Sequence, residues 1–176
     1  ALTLLLAACA GQVAEPEYYL LRGEVDTDSR PLDPLAGYAM GSVNLAPYID
    51  QPGLLLETAE GQIRPARNHL WVEPIFESIR IFLLQQISHD AGKDLLPSSV
   101  DAESARINVR IDQLHGTKNG SALLVAYWWI DRGGKLEQGY KFSRTRELDA
   151  DGYAALARAQ KALLTELSTE IAATIR

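Results

Sequence analysis

Residues 105–148 read ARINVRIDQLHGTKNGSALLVAYWWIDRGGKLEQGYKFSRTREL. Ile107, Val109 and Ile111 alternate with Arg106, Asn108, Arg110 and Asp112, a period of two that gives a strand one buried and one wet face. Asn119-Gly120 and Gly133-Gly134 follow at the places where tight turns need residues that tolerate positive φ. Between these turns, Leu123 to Ile130 is apolar on both faces, so this strand is either central or meets a partner. Lys135 to Leu148 alternates again around Tyr140 and Phe142. The pattern predicts three strands in an antiparallel meander.

On either side of the meander the period changes to that of a helix. Ile75, Phe76, Ile79, Phe82, Leu83 and Ile87 recur at spacings of three and four, with Glu77, Ser78, Arg80 and Gln85 on the opposite face. Pro74 suits the first turn, where its missing N–H costs nothing, and the helix should stop near Gly92. After the meander, Asp149 or Asp151 is placed to cap a final helix with a stripe of Leu156, Leu163, Leu164, Leu167, Ile171 and Ile175. Towards the N-terminus, Tyr18 to Val25 and Gly41 to Ile49 read as strands separated by a loop from Asp26 to Gly37. Gly53 to Glu57 and Ile63 to Trp71 read as a hairpin around Ala59-Glu60-Gly61-Gln62. The expected fold class is α+β: a single domain with a mostly antiparallel sheet and two long amphipathic helices packed on one face.

The chain has 176 residues, 47% hydrophobic and 23% charged, enough to bury one core without metals or disulfides. Its single cysteine, Cys9, excludes an internal bridge, and the three histidines, His69, His89 and His115, stand in no metal-ligand spacing. A net charge of -6 with no basic run argues against a nucleic-acid partner. No nucleophile elbow and no phosphate-cradling glycine loop occurs, so no catalytic residue, metal or cofactor is assigned.

The N-terminus has a different character. Leu2-Thr3-Leu4-Leu5-Leu6-Ala7-Ala8 is an apolar run too short to span a bilayer, which needs about 20 helical residues. It matches the end of a secretory leader without its charged start, so residues 1–8 are expected to be the remainder of a signal peptide. Leu6-Ala7-Ala8-Cys9 is similar to the lipobox of bacterial lipoproteins. That resemblance implies cleavage before Cys9 and acylation of its thiol and new amine; several acyl chains give a lasting anchor where one would be reversible. Ala10, rather than Asp, follows the cysteine, which by the same resemblance implies outer-membrane sorting. Residues 9–17 then form a polar tether, and residues 18–176 the folded domain.

Tyr127, Trp128 and Trp129 are consecutive, so at least one ring must point to the face opposite the other two. They are either core or a candidate interaction patch, which Arg106, Arg110 and Arg144 are placed to rim.

Several segments together resemble the ABC-type transport auxiliary lipoproteins. They are Cys9 with its lipobox, Tyr18-Tyr19-Leu20-Leu21, the run from Val43 to Pro52 that contains Tyr48, and Trp71-Val72-Glu73-Pro74 leading into the first helix. The resemblance implies a domain without enzymatic activity, lipid-anchored to the periplasmic side of the outer membrane. It would serve a transporter whose periplasmic subunit carries mammalian-cell-entry (MCE) domains and moves lipid between membranes. The two-sided apolar character of residues 122–130 is the sequence's hint of where contact with that partner, or self-association as a homo-oligomer, would occur. Two other readings stay open at this level: a lipid or apolar ligand held in a pocket between helices and sheet, or an anchored periplasmic enzyme with convergent polar groups in one cleft.

Overall fold

The computed structural model describes residues 15–25, 27, 29–100 and 103–175. The lipobox with Cys9, the leader remainder and most of the tether lie outside the described residues.

The sheet is built around β6 (Ala105–Gly116), whose Ile107, Val109 and Ile111 are fully buried while Arg106 and Arg110 are exposed. β7 (Ser121–Arg132) and β8 (Lys135–Glu147) follow as antiparallel neighbours, with Gly120, Gly133 and Gly134 all at positive φ in the two turns. This is the meander expected from the sequence. The other side of β6 is shared by two segments in succession. β2 (Pro34–Leu45) runs parallel to it from Tyr38↔Ala105 to Leu45↔Ile111, and Ala46 N–H still donates to Ile111 O at 2.9 Å. The chain then turns through Pro47–Ile49 and returns as β3 (Gly53–Ala59), which meets β6 at Leu56↔Gly116 and forms a hairpin with β4 (Gln62–Trp71). β1 (Glu17–Tyr19) lies parallel beside β4, and β5 (Asp94–Pro97) parallel beside β2. The longest pairings are antiparallel, but those of β2 with β5 and β6, of β3 with β6 and of β1 with β4 are parallel.

α1 (Ile75–Ala91) lies over β2 and β5, and α2 (Tyr153–Ala173) over β6, β7 and β8, side by side on one face. Ile79, Phe82, Leu83 and Ile87 of α1 meet Leu163, Leu164, Leu167 and Ile171 of α2 in a core with no exposed surface on any of them. α1 ends at Gly92, whose φ of 67° is the left-handed cap that a glycine adopts at little cost. The fold is α+β, as the periodicity implied.

Four local expectations change. Of the segment Tyr18–Val25 only Tyr18 and Tyr19 pair as a strand, within β1. Beyond it the backbone is held by glutamines of α1: Gln85 Oε1 accepts from Gly23 N–H and Gln86 Oε1 from Glu24 N–H. A strand of the sheet would have needed those donors for its own ladder. The loop expected over Asp26–Gly37 gives way to β2 at Pro34, and the strand expected to reach Ile49 ends at Leu45. β5 is too short to show a period of its own. Finally, the N-cap of α2 is Gly152 at φ 98°, a conformation suited to glycine, and neither Asp149 nor Asp151 caps it. Asp149 instead accepts a bidentate pair of hydrogen bonds from Arg158, at 2.7 and 3.0 Å.

Candidate docking surface

Alternation along β7 sorts the three aromatic residues. Trp128 faces the helices with Leu124, Ala126 and Ile130; it is 3% exposed and stacks on Tyr140 of β8, centroids 4.8 Å apart and planes 10° from parallel. Its Nε1 is buried with no hydrogen-bond partner among the described residues. Trp128 is therefore core and leaves the expected patch, because a residue between two outward neighbours on a strand must point inward. Tyr127, 37% exposed, and Trp129 point to the face without helices.

On that face the register places Arg110 beside Tyr127 and Asn108 beside Trp129 on the β6 side, and Lys141 beside Tyr127 and Gly139 beside Trp129 on the β8 side. Gly139 has no side chain to fill the space next to Trp129, and a Cβ there would come no closer than 3.9 Å to another heavy atom. The result is an open, apolar hollow of about 650 Å³ lined by Tyr127, Trp129, Leu136, Gly139 and Lys141 and bordered also by Trp128 and Tyr140, with Leu136 62% exposed. Lys141 Nζ sits 5.8 Å from the centroid of the Tyr127 ring, a cation–π contact that keeps one positive charge at the rim. Arg106 and Arg110 belong to the same face, Arg110 paired with Asp112 at 3.3 Å. Arg144 does not rim the hollow: opposite Leu124 it emerges on the helix side, where it bonds Glu170 and lies over Phe142. The Glu170 and Glu166 carboxylates raise its pKa further.

The residues of the Trp-x-Glu-Pro turn have structural work. Trp71 is buried in the core, Val72 N–H donates to Tyr19 O, and Pro74 O accepts from Ser78 N–H as the helix begins. Glu73 takes both guanidinium bonds of Arg22 Nη2 and one from Ser78 Oγ, and the Arg22 bonds hold its carboxyl below the ordinary range. A carboxylate at a helix N-terminus also meets the positive end of the helix dipole. Tyr48 lies in the turn between β2 and β3, its ring 6.3 Å from that of His115, and burial raises its pKa.

The point where the chain enters the domain is pinned by a stack. Tyr19, His69 and Tyr153 pack ring on ring at 6.1 and 4.5 Å, tying β1 and β4 to the first residue of α2. The Tyr19 hydroxyl donates to Glu17 Oε2 at 2.8 Å and stands 3.0 Å from His69 Nδ1. Burial, then the Glu17 carboxylate, push its pKa up to about 12, so it holds its proton too firmly to act as a base near neutrality. The carboxyls whose pKa is lowered, Glu73, Asp94 and Asp149, are bonded to Arg22, Arg30 and Arg158 respectively, in separate parts of the fold. They do not converge on a cleft.

The space between helices and sheet, where an apolar ligand was one expectation, is filled by Phe82, Leu83, Ile107, Val109, Leu163 and Leu167. A further hollow, about 620 Å³, lies on the flank of α1 between Glu24, Val25, Arg30 and Leu32 and the end of that helix, edged by the Arg30–Asp94 and Lys93–Asp33 pairs. Among the described residues no three His, Cys, Asp or Glu side chains gather as metal ligands, and no helix is long and apolar enough to cross a membrane.

A family model described as "ABC-type transport auxiliary lipoprotein component" matches residues 18–172. Among solved structures, one described only as an uncharacterized protein superposes with a TM-score of 0.78 at 21% identity, over 93% of this chain and all of that one. Protein XCC0632 from Xanthomonas campestris, of the family DUF330, superposes with a TM-score of 0.69 at 15% identity, over 88% of this chain and 92% of that one. These two likenesses are of fold. No curated protein matches the sequence.

Proposed function

The chain belongs to the family of ABC-type transport auxiliary lipoprotein components, and from that premise we propose that it is the docking subunit of an MCE-type intermembrane lipid transporter. In this reading it is a protein of the paraquat-inducible protein C kind. Acyl chains on Cys9 hold it to the periplasmic side of the outer membrane, and it supports membrane integrity by receiving the periplasmic tip of its partner. The observation that carries the reading is the hollow at Tyr127, Trp129 and Leu136. Aromatic residues around an apolar depression with a polar rim are the usual anatomy of a binding hot spot.

The position of the hollow supports the same reading. The tether enters at β1, and β7 lies four strands away across β4, β3 and β6. At about 4.8 Å per strand that is roughly 19 Å, so anchoring at one edge leaves the patch clear of the bilayer. Anchoring also confines the domain near its partner, so a weak contact is sufficient. The side-chain charge of -6 suits contact with protein and supplies no attraction to anionic head groups.

The test is photocrosslinking in intact membranes, with the reactive side chain at position 129 or at the exposed Lys161 on α2. An MCE-domain protein should be recovered from position 129 and not from 161. Recovery from both positions alike, or from neither while the protein is membrane-bound, would remove the hollow as the docking site. Release of Cys9→Ala from membranes is expected; its retention would remove the anchor.

A further inference from the structure

A second apolar feature lies on the helix-free face at the opposite edge of the sheet. Tyr19 turns towards His69 and Tyr153 of the helix side, so alternation turns Tyr18 and Leu20 the other way. Val72 N–H donates to Tyr19 O at 2.9 Å, which continues the β1–β4 ladder and sets Val72 next to Leu20. Tyr18 is 60% exposed, Leu20 59% and Val72 51%, although Leu20 adjoins the buried Leu21 and Val72 the buried Trp71, which shows where core packing ends.

The sequence outside the described residues says what this strip meets. Cys9 precedes Tyr18 by nine residues, which span at most about 30 Å when fully extended. Tyr18 and Leu20 are thus the first apolar side chains of the domain after the acylated residue, and they are kept within that distance of the bilayer surface. A tyrosine beside two aliphatic side chains suits the boundary between head groups and acyl chains, where an amphipathic ring is at home on both sides. Arg22, the basic residue nearest the strip in sequence, is bound to Glu73, and the acidic Glu17 stands next to Tyr18, so neither selects anionic lipid.

We propose that Tyr18, Leu20 and Val72 form a lipid-contacting edge that seats the domain on the bilayer with the β1 side down and the β8 side turned to the periplasm. The inference rests on acylation at Cys9. It adds that the domain has a set orientation on the membrane and does not swing freely on its tether. The contact is apolar and independent of lipid charge.

The acylated full-length protein in phosphatidylethanolamine vesicles carrying brominated acyl chains tests it. Tyr18→Trp and Tyr127→Trp each add one indole to those of Trp71, Trp128 and Trp129. The bromolipid should quench the added emission of Tyr18→Trp by at least about two-fold and leave that of Tyr127→Trp within error of its value in unbrominated vesicles. Adding phosphatidylglycerol should not change either result. Leu20→Asp combined with Val72→Asp should abolish the quenching in the Tyr18→Trp background while the protein still sediments with the vesicles. Sedimentation without quenching at position 18, or equal quenching at both positions, overturns the oriented edge and leaves the anchor intact. Failure of the acylated protein to sediment overturns both. A self-association of the strip, seen as concentration-dependent dimers that Leu20→Asp dissolves, with no quenching, also overturns it.

Discussion

Trp128 carries a sharp contrast between two substitutions. In Trp128→Ala the core loses a large side chain that is 3% exposed and stacked on Tyr140, which costs about 3–5 kcal/mol for a buried tryptophan. Part of that is returned, because the indole Nε1 is buried without a partner and its removal relieves a desolvation cost of about 1–3 kcal/mol. Taking the middle of each range, the expected net loss is about 2 kcal/mol. In Trp128→Phe the ring over Tyr140 survives, and the loss is about two carbons, worth about 1.5 kcal/mol of transfer free energy. The same relief of the unpaired N–H offsets it, so stability should stay within about 1 kcal/mol of the parent. Urea unfolding followed by far-UV circular dichroism separates the cases. With a slope of about 2 kcal/mol per molar, the midpoint should fall by about 1 M for Trp128→Ala and by less than about 0.5 M for Trp128→Phe. If Trp128→Phe costs as much as Trp128→Ala, the indole N–H is a satisfied donor and the offset is wrong.

Backbone contact and pH supply further expectations. Gly23→Ala would set a Cβ 2.9 Å from both Gln86 N and Phe82 O, backbone atoms of α1 that have little room to yield. It should cost about 1–3 kcal/mol and lower the melting temperature by several degrees, and an unchanged melt would mean that residues 21–25 do not lie on that helix. The Glu73 carboxyl, lowered by Arg22, contributes stability that is complete above its ordinary value of 4.5 and fades as pH falls through the lowered folded value. Acid titration of Glu73→Gln should therefore show a shallower loss of stability below that pH. Tyr19 has the opposite sign: its stabilisation is complete below the ordinary 10.0 and is lost as pH rises towards about 12. Tyr19→Phe should remove that alkaline slope, and persistence of the slope would assign it to another group.

The parts of this fold that could be read directly are those in which a residue's neighbours along the chain set its role. The alternation in Ile107–Ile111, the glycines at 120, 133 and 134 and the stripes of α1 and α2 each depend on side-chain type at a spacing of two, three or four. The hairpin at Gly61 was legible for the same reason. The parallel pairings of β2 with β6 and β5 were not, because a strand's own sequence does not name its partner. The segment from Tyr18 to Val25 opens on the apolar run Tyr18-Tyr19-Leu20-Leu21 and reads as a strand, but two glutamine side chains from α1 take the backbone donors of Gly23 and Glu24 that a ladder would have used.

The candidate surfaces divide in the same way. Sequence alone marked Tyr127, Trp128 and Trp129 as rings that could not all share one face, and marked Cys9 as the residue on which an anchor would depend. It also placed Pro74 in the first turn of a helix, where its missing N–H costs nothing. Only the tertiary structure decided that Trp128 is the inward ring, that Gly139 opens a hollow beside Trp129, and that Tyr18, Leu20 and Val72 lie at the far edge of the same bare face. The physical reason is that a strand such as β7 carries apolar residues on both sides, and the choice of which side is core is made by where α1 and α2 come to rest. That placement is the sum of many packing contacts between segments distant in sequence, and no single stretch of the chain contains it.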